Sequence, residues 1–135
     1  MLLPTDMDAQ TLETTGIPLE DLAAFLRGAF RAIVIIDAVL SSKGIASIPA
    51  FDNALVIAAS FASESTQFGG GHGELTWNVL RALNGEADAN SDGRVTTNEL
   101  ADFIARQKPS REGQPPVVQN GLPGELPLVE QPTSN

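Results

Sequence analysis

Residues 32–42 read AIVIIDAVLSS, and the first five decide the fold class. Ala32 to Ile36 is an unbroken apolar run rich in β-branched side chains, closed by Asp37. With no polar alternation, it reads as a strand buried on both faces, as in a parallel sheet. Ala54 to Ala59 repeats the pattern less strongly, across a loop marked by Gly44, Pro49 and several serines. Upstream, Leu19, Leu22, Ala23, Leu26, Ala29 and Phe30 recur at spacings of three and four, which predicts an amphipathic helix. Pro18 suits its first turn, and Glu20 and Asp21 complement its positive end. Downstream, the polar, glycine-rich residues 63–73 read as a second loop. Leu75, Val79, Leu80 and Leu83 then mark a helix stopped at Asn84-Gly85. Leu100, Phe103 and Ile104 mark another, stopped before Pro109. Helix–strand–strand–helix–helix is an α/β order.

This places one partial domain over residues 1–108. Residues 109–135 hold six of the nine prolines and read mostly as linker or tail. Val117-Val118 and Leu126 to Val129 are candidate edge strands there, Pro127 weakening the second. No internal repeat is found.

Composition narrows the function classes. The chain has 135 residues, 42% of them hydrophobic and only 19% charged, which indicates a globular domain and not a disordered one. A net charge of −9 and a pI near 4.3 argue against nucleic acid and favour cations or basic partners. Without cysteine there is no disulfide, thiolate metal site or cysteine nucleophile in these residues. The opening MLLPTDMDAQ lacks the basic and apolar regions of a signal peptide. No apolar run approaches a membrane span. The expectation is a soluble, cytoplasmic protein with no membrane or nucleic-acid partner.

The one motif that carries chemistry is DANSDGRVTTNE, residues 88–99. Calcium takes six to eight oxygen ligands, and a twelve-residue loop supplies them from fixed offsets. Asp88, Asn90 and Asp92 stand at positions one, three and five, and Gly93 at the sharp turn of position six. Arg94 at seven offers its backbone carbonyl. Val95 is the apolar eighth residue, Thr96 the ninth, and Glu99 at twelve offers both carboxylate oxygens. The bland alternative is a capped turn, because Thr96-Thr97-Asn98-Glu99 is also a capping box. The loop stands alone, whereas calcium sensors usually pair two, and its entering helix stops early.

AIVIIDAVLSS also resembles the strand and turn that carry the nucleophile in caspase-like and metacaspase-like cysteine peptidases. There an apolar strand is followed by Asp-Ala-Cys-His-Ser-Gly. Asp37, Ala38 and Ser41 match; Val39 stands at the cysteine position, Leu40 where His commonly follows, and Ser42 replaces glycine. Residues 1–22 resemble the family segment after the catalytic-histidine strand, and ALVIAAS the next core strand. GHGELTWNVLRALNG resembles the helix entry of bacterial members, many of which carry an EF-hand-like loop before Val-Thr-x-x-Glu-Leu. PPVVQNG and LPLVE resemble the final strand region. Coverage runs from about Leu2 to Glu130.

The resemblance implies the C-terminal half of a caspase-like fold: three layers, a mostly parallel and incomplete sheet, and the histidine strand outside these residues. With Val39 in place of the nucleophile, the family's covalent mechanism is unavailable, so no enzyme activity is expected. Asp37 would be a remnant of acidic groups used for basic-residue specificity, or simply a strand-end carboxylate. Nothing in the sequence brings Ser41 to His72, the sole histidine, with the orienting group that a substitute catalytic pair needs. Trp77 reads as a packing residue.

The leading expectation is a non-catalytic caspase-like protein that binds one calcium ion and acts through a partner, such as a complementary half-domain. The alternatives are a stand-alone calcium-binding module, an accessory subunit of an active peptidase, and a gene fragment.

Overall fold

The computed structural model describes residues 18–38, 46, 48–59, 73–109 and 114–131. Helix α1 (Leu19–Arg27) leads into strand β1 (Ala32–Ile36), and β2 (Ala54–Ala58) follows. Helix α2 (Glu74–Arg81) widens into a π-helical turn at Ala82–Glu86, where Gly85 adopts φ +109°. The short strand β3 (Arg94–Thr96) runs directly into α3 (Thr97–Ala105), and β4 (Val117–Asn120) and β5 (Pro127–Glu130) close the chain. Among the described residues no helix is long and apolar enough to cross a membrane.

The main sheet has the order β1-β2-β4 and is mixed. β1 and β2 are parallel, with Ala32 beside Ala54 and Ile36 beside Ala58, whereas β4 is antiparallel to β2. The expectation of a mostly parallel sheet is corrected on this point: residues 117–120 return along β2's other edge. β3 and β5 form a separate antiparallel pair.

Period-two alternation sends the side chains of β2 to two cores. Leu55 and Ile57 meet Leu75 and Val79 of α2 and Leu100 and Ile104 of α3. Ala54, Val56 and Ala58 face the opposite way, toward Ile36, Ile48 and half-buried Leu22 of α1. The sheet thus lies between α1 on one side and α2 with α3 on the other. Full burial of Leu55 and Ile57 contributes roughly 1.5–3 kcal/mol each.

β1 differs from its expected role. Its residues alternate between sheltered and exposed, and Ile33 and Ile35 are 40% and 44% exposed. The central strand buried on both faces is β2, and β1 is an edge strand with no neighbour on its outer side among the described residues.

Tertiary bonds fix the connections. The Asn53 side-chain amide donates to the carbonyls of Leu26 and Ala29, closing the end of α1. Asp37, one residue past β1, accepts from the backbone N–H of Thr76 (3.0 Å) and from its hydroxyl. It does for α2 what an N-cap side chain does, because Gly73 at the cap position has no side chain to offer. A Cβ on Gly73 would collide with that carboxylate. Asp37 thus holds the start of α2 through one carboxylate oxygen, Oδ2.

Candidate metal centre

The loop 88–99 joins the π-helical turn to α3. Asp88 is drawn inward by two backbone donors, Gly93 N–H to Oδ2 at 3.0 Å and Asp92 N–H to Oδ1 at 3.2 Å. Asn90 Oδ1 accepts from Asp92 N–H at 2.9 Å, and Asp92 Oδ1 from Arg94 N–H at 2.9 Å. These short-range side-chain turns are why Asp and Asn suit alternate positions here. Gly93 adopts φ +82°, where a Cβ is disfavoured, and Ser91 adopts φ 60° despite having one.

Glu99 closes the ring. Its Oε1 accepts from Ala89 N–H at 3.1 Å, near the loop's start. Its Oε2 accepts from the N–H and hydroxyl of Thr96 at 3.0 and 2.9 Å, and Glu99 N–H returns a bond to the Thr96 hydroxyl. The expected capping box is thus formed at the start of α3. Glu99 is buried at 9% exposure. Burial pushes its pKa up, but the donors on Thr96, Ala89 and Asn90 outweigh it, and the carboxyl titrates below its ordinary value.

The arms are braced from outside. Arg81 binds Glu86 through two guanidinium nitrogens, and its charge lies 5.8 Å from the Phe103 ring, linking the entering turn to α3. The Arg94 side chain pairs with Glu130 on β5 at 3.3 Å, so its charge points out of the loop and its backbone remains available.

All six expected ligands, Asp88, Asn90, Asp92, Arg94, Thr96 and Glu99, lie in this loop and offer only oxygen. That donor set fits a hard cation such as calcium and not a soft one. Among the described residues, however, no three acidic or imidazole groups converge as a ready-made metal cage. The carboxylate oxygens of Asp88 and Asp92 each accept one bond and keep a second electron pair, whereas Glu99 Oε2 already accepts from both the N–H and the hydroxyl of Thr96. Asn90 and Asp92 are exposed, Asp88 and Thr96 half-buried.

Val39, Ser41 and His72 lie outside the described residues. Trp77 sits half-buried on α2. Sequence reasoning missed Glu125, in the turn before β5, whose Oε1 lies 2.6 Å from the Thr96 hydroxyl. Its only signal was an acid in a segment read as tail. Comparison with protein-family models, curated proteins and solved structures found no match for this chain.

Proposed function

We propose that this chain is a non-catalytic, caspase-like protein of the cytoplasm that holds one calcium ion in the loop 88–99 and acts through a partner. The observation that carries the reading is the loop's closure. Glu99 at position twelve reaches Ala89 at position two, while Asp88 at position one holds Gly93 at the turn. Asp88, Asn90, Asp92, the Arg94 carbonyl, Thr96 and Glu99 would hold the ion, whose charge would offset the repulsion among the carboxylates.

The lack of activity follows from Val39, which offers no nucleophile at the position where the resembled family carries cysteine. The partner reading is supported by β1, which among the described residues is an unpaired edge displaying Ile33 and Ile35, with Phe25 and Phe30 also exposed. Such an edge accepts an added strand whose apolar side chains cover the two isoleucines. A complementary caspase-like half-domain is the occupant that the resemblance implies. The two cores flanking β2 favour the alternative of a self-sufficient calcium module.

Calorimetric titration tests the metal directly. The wild-type chain is expected to bind one calcium ion, and Asp88→Asn, which keeps a side-chain acceptor for Gly93, to lose at least tenfold in affinity. Absence of binding at millimolar calcium would remove the proposal. For the partner, a caspase-like half-domain added in trans should increase the sedimentation rate of the wild-type chain and not that of Ile35→Lys. An unchanged wild-type rate favours the stand-alone module.

A further inference from the structure

We infer that the C-terminal strand β5 is a working part of the cation loop, so that calcium binding and the docking of residues 125–131 stabilise one another. This rests on the calcium reading above and extends it to a segment outside the twelve-residue motif.

The first argument is how β5 aims a ligand. Among the described residues β3 pairs with β5 alone, with Arg94 opposite Glu130 and Val95 opposite Val129. The Gly93 carbonyl accepts from Gln131 N–H at 2.7 Å and so faces β5. In a trans peptide the next N–H points the opposite way, and Arg94 N–H indeed meets Asp92 Oδ1 on the loop side. Along an extended residue the carbonyl points to the same side as its own N–H. The Arg94 carbonyl, the seventh-position ligand, is thereby turned toward Asp92. The loop's own bonds hold the N–H groups of Arg94 and Thr96, and pairing with β5 holds the opposite edge of this three-residue strand.

The second argument is a shared proton. The Thr96 hydroxyl has one hydrogen and two carboxylates in reach, Glu99 Oε2 at 2.9 Å and Glu125 Oε1 at 2.6 Å. A cation on Glu99 Oε2 competes for the electron pair that accepts this hydrogen and favours its turning to Glu125. Ion binding thus strengthens a bond to the β5 side of the molecule.

The third argument is that the segment straddles both arms. Gln131 donates its side-chain amide to the Leu83 carbonyl at 2.9 Å, on the entering turn. Leu126 exchanges two bonds with buried Thr97 at the start of α3, N–H to Thr97 Oγ1 at 3.1 Å and carbonyl from Thr97 N–H at 2.8 Å. Val129 of the strand lies opposite the buried Val95 of β3. Coupling of this kind is reciprocal: what calcium adds to strand docking, docking adds to calcium affinity.

The test is amide hydrogen exchange on the full chain in millimolar calcium and in chelator, alongside calcium titrations of wild type and Val129→Asp. The variant sets a carboxylate opposite Val95 and removes none of the six donors. The expected result is at least tenfold slower exchange in calcium at residues 126–131 as well as 88–99. Calcium affinity in Val129→Asp should fall at least fivefold. Calcium that binds wild type yet slows only residues 88–99 would overturn the inference while leaving the calcium site intact. A wild-type chain that binds no calcium would overturn both. If Val129→Asp does not fold, the wild-type exchange pattern decides.

Discussion

Ser91 and Glu99 show how much of the loop's character resides in single residues. Ser91 occupies a left-handed conformation that costs a side-chain-bearing residue about 1 kcal/mol, so Ser91→Gly should raise stability by roughly 0.5–1 kcal/mol in denaturant unfolding. Gly93→Ala carries the opposite sign at φ +82° and should lose about 1 kcal/mol or more. Burial acts against the charge of Glu99, and the N–H and hydroxyl donors overcome it, leaving the folded pKa below the unfolded one. Its contribution to stability is therefore complete above the ordinary carboxyl range. It should disappear as pH falls through the folded value, in the acid region below about pH 4.5. Glu99→Gln should flatten that part of the stability–pH curve. Nothing marked Ser91, whereas Gly93 at the turn and Glu99 in the capping box were legible in the sequence from spacing alone. Asp37 was not, since its partner Thr76 lies 39 residues away and no local pattern encodes the contact.

At the scale of elements, α2 depends on a cap delivered from another strand. Asp37→Ala removes the acceptor for Thr76 and should cost about 1 kcal/mol, read as a lower unfolding midpoint with an unchanged denaturant slope. Gly73→Ala should act in the same direction, because its methyl displaces the Asp37 carboxylate. The helices were readable from apolar spacing, since one buried face repeats every three or four residues. The C-terminal strands were harder. Six prolines gave residues 109–135 the character of a tail, yet Pro127 occupies the first position of β5, where a strand tolerates proline. Nor does any local feature reveal that LPLVE pairs with β3 and not with the main sheet.

For the whole molecule, the two apolar strands are read alike from sequence, as buried on both faces, yet only the second is. Among the described strands the stronger run, AIVII, forms the edge, and the weaker one, ALVIA, forms the centre. β-branched content specifies an extended conformation, but position within a sheet depends on what covers each face, which a single strand does not encode. Ile57→Lys should prevent folding, because it buries an unpaired charge between α2 and α3. Ile33→Lys should fold and cost far less, about 1 kcal/mol, since that side chain is 40% exposed. Circular dichroism melts of both variants check the contrast. The mixed α and β character was legible from order and periodicity; the antiparallel return of β4 was not, because Val117-Val118 fits either direction of pairing.

The most direct measurement of the central claim is thermal unfolding of the full chain in millimolar calcium and in chelator, for wild type and Asp88→Asn. An ion bound only by the folded state adds about 2.7 kcal/mol when free calcium is a hundredfold above its dissociation constant. For a chain of this size that is a rise of roughly 5–15 °C. The account predicts one cooperative transition that rises by several degrees in calcium, and a variant that folds but loses the rise. A wild-type transition at the same temperature in calcium and chelator would contradict it and leave residues 88–99 as a capped turn.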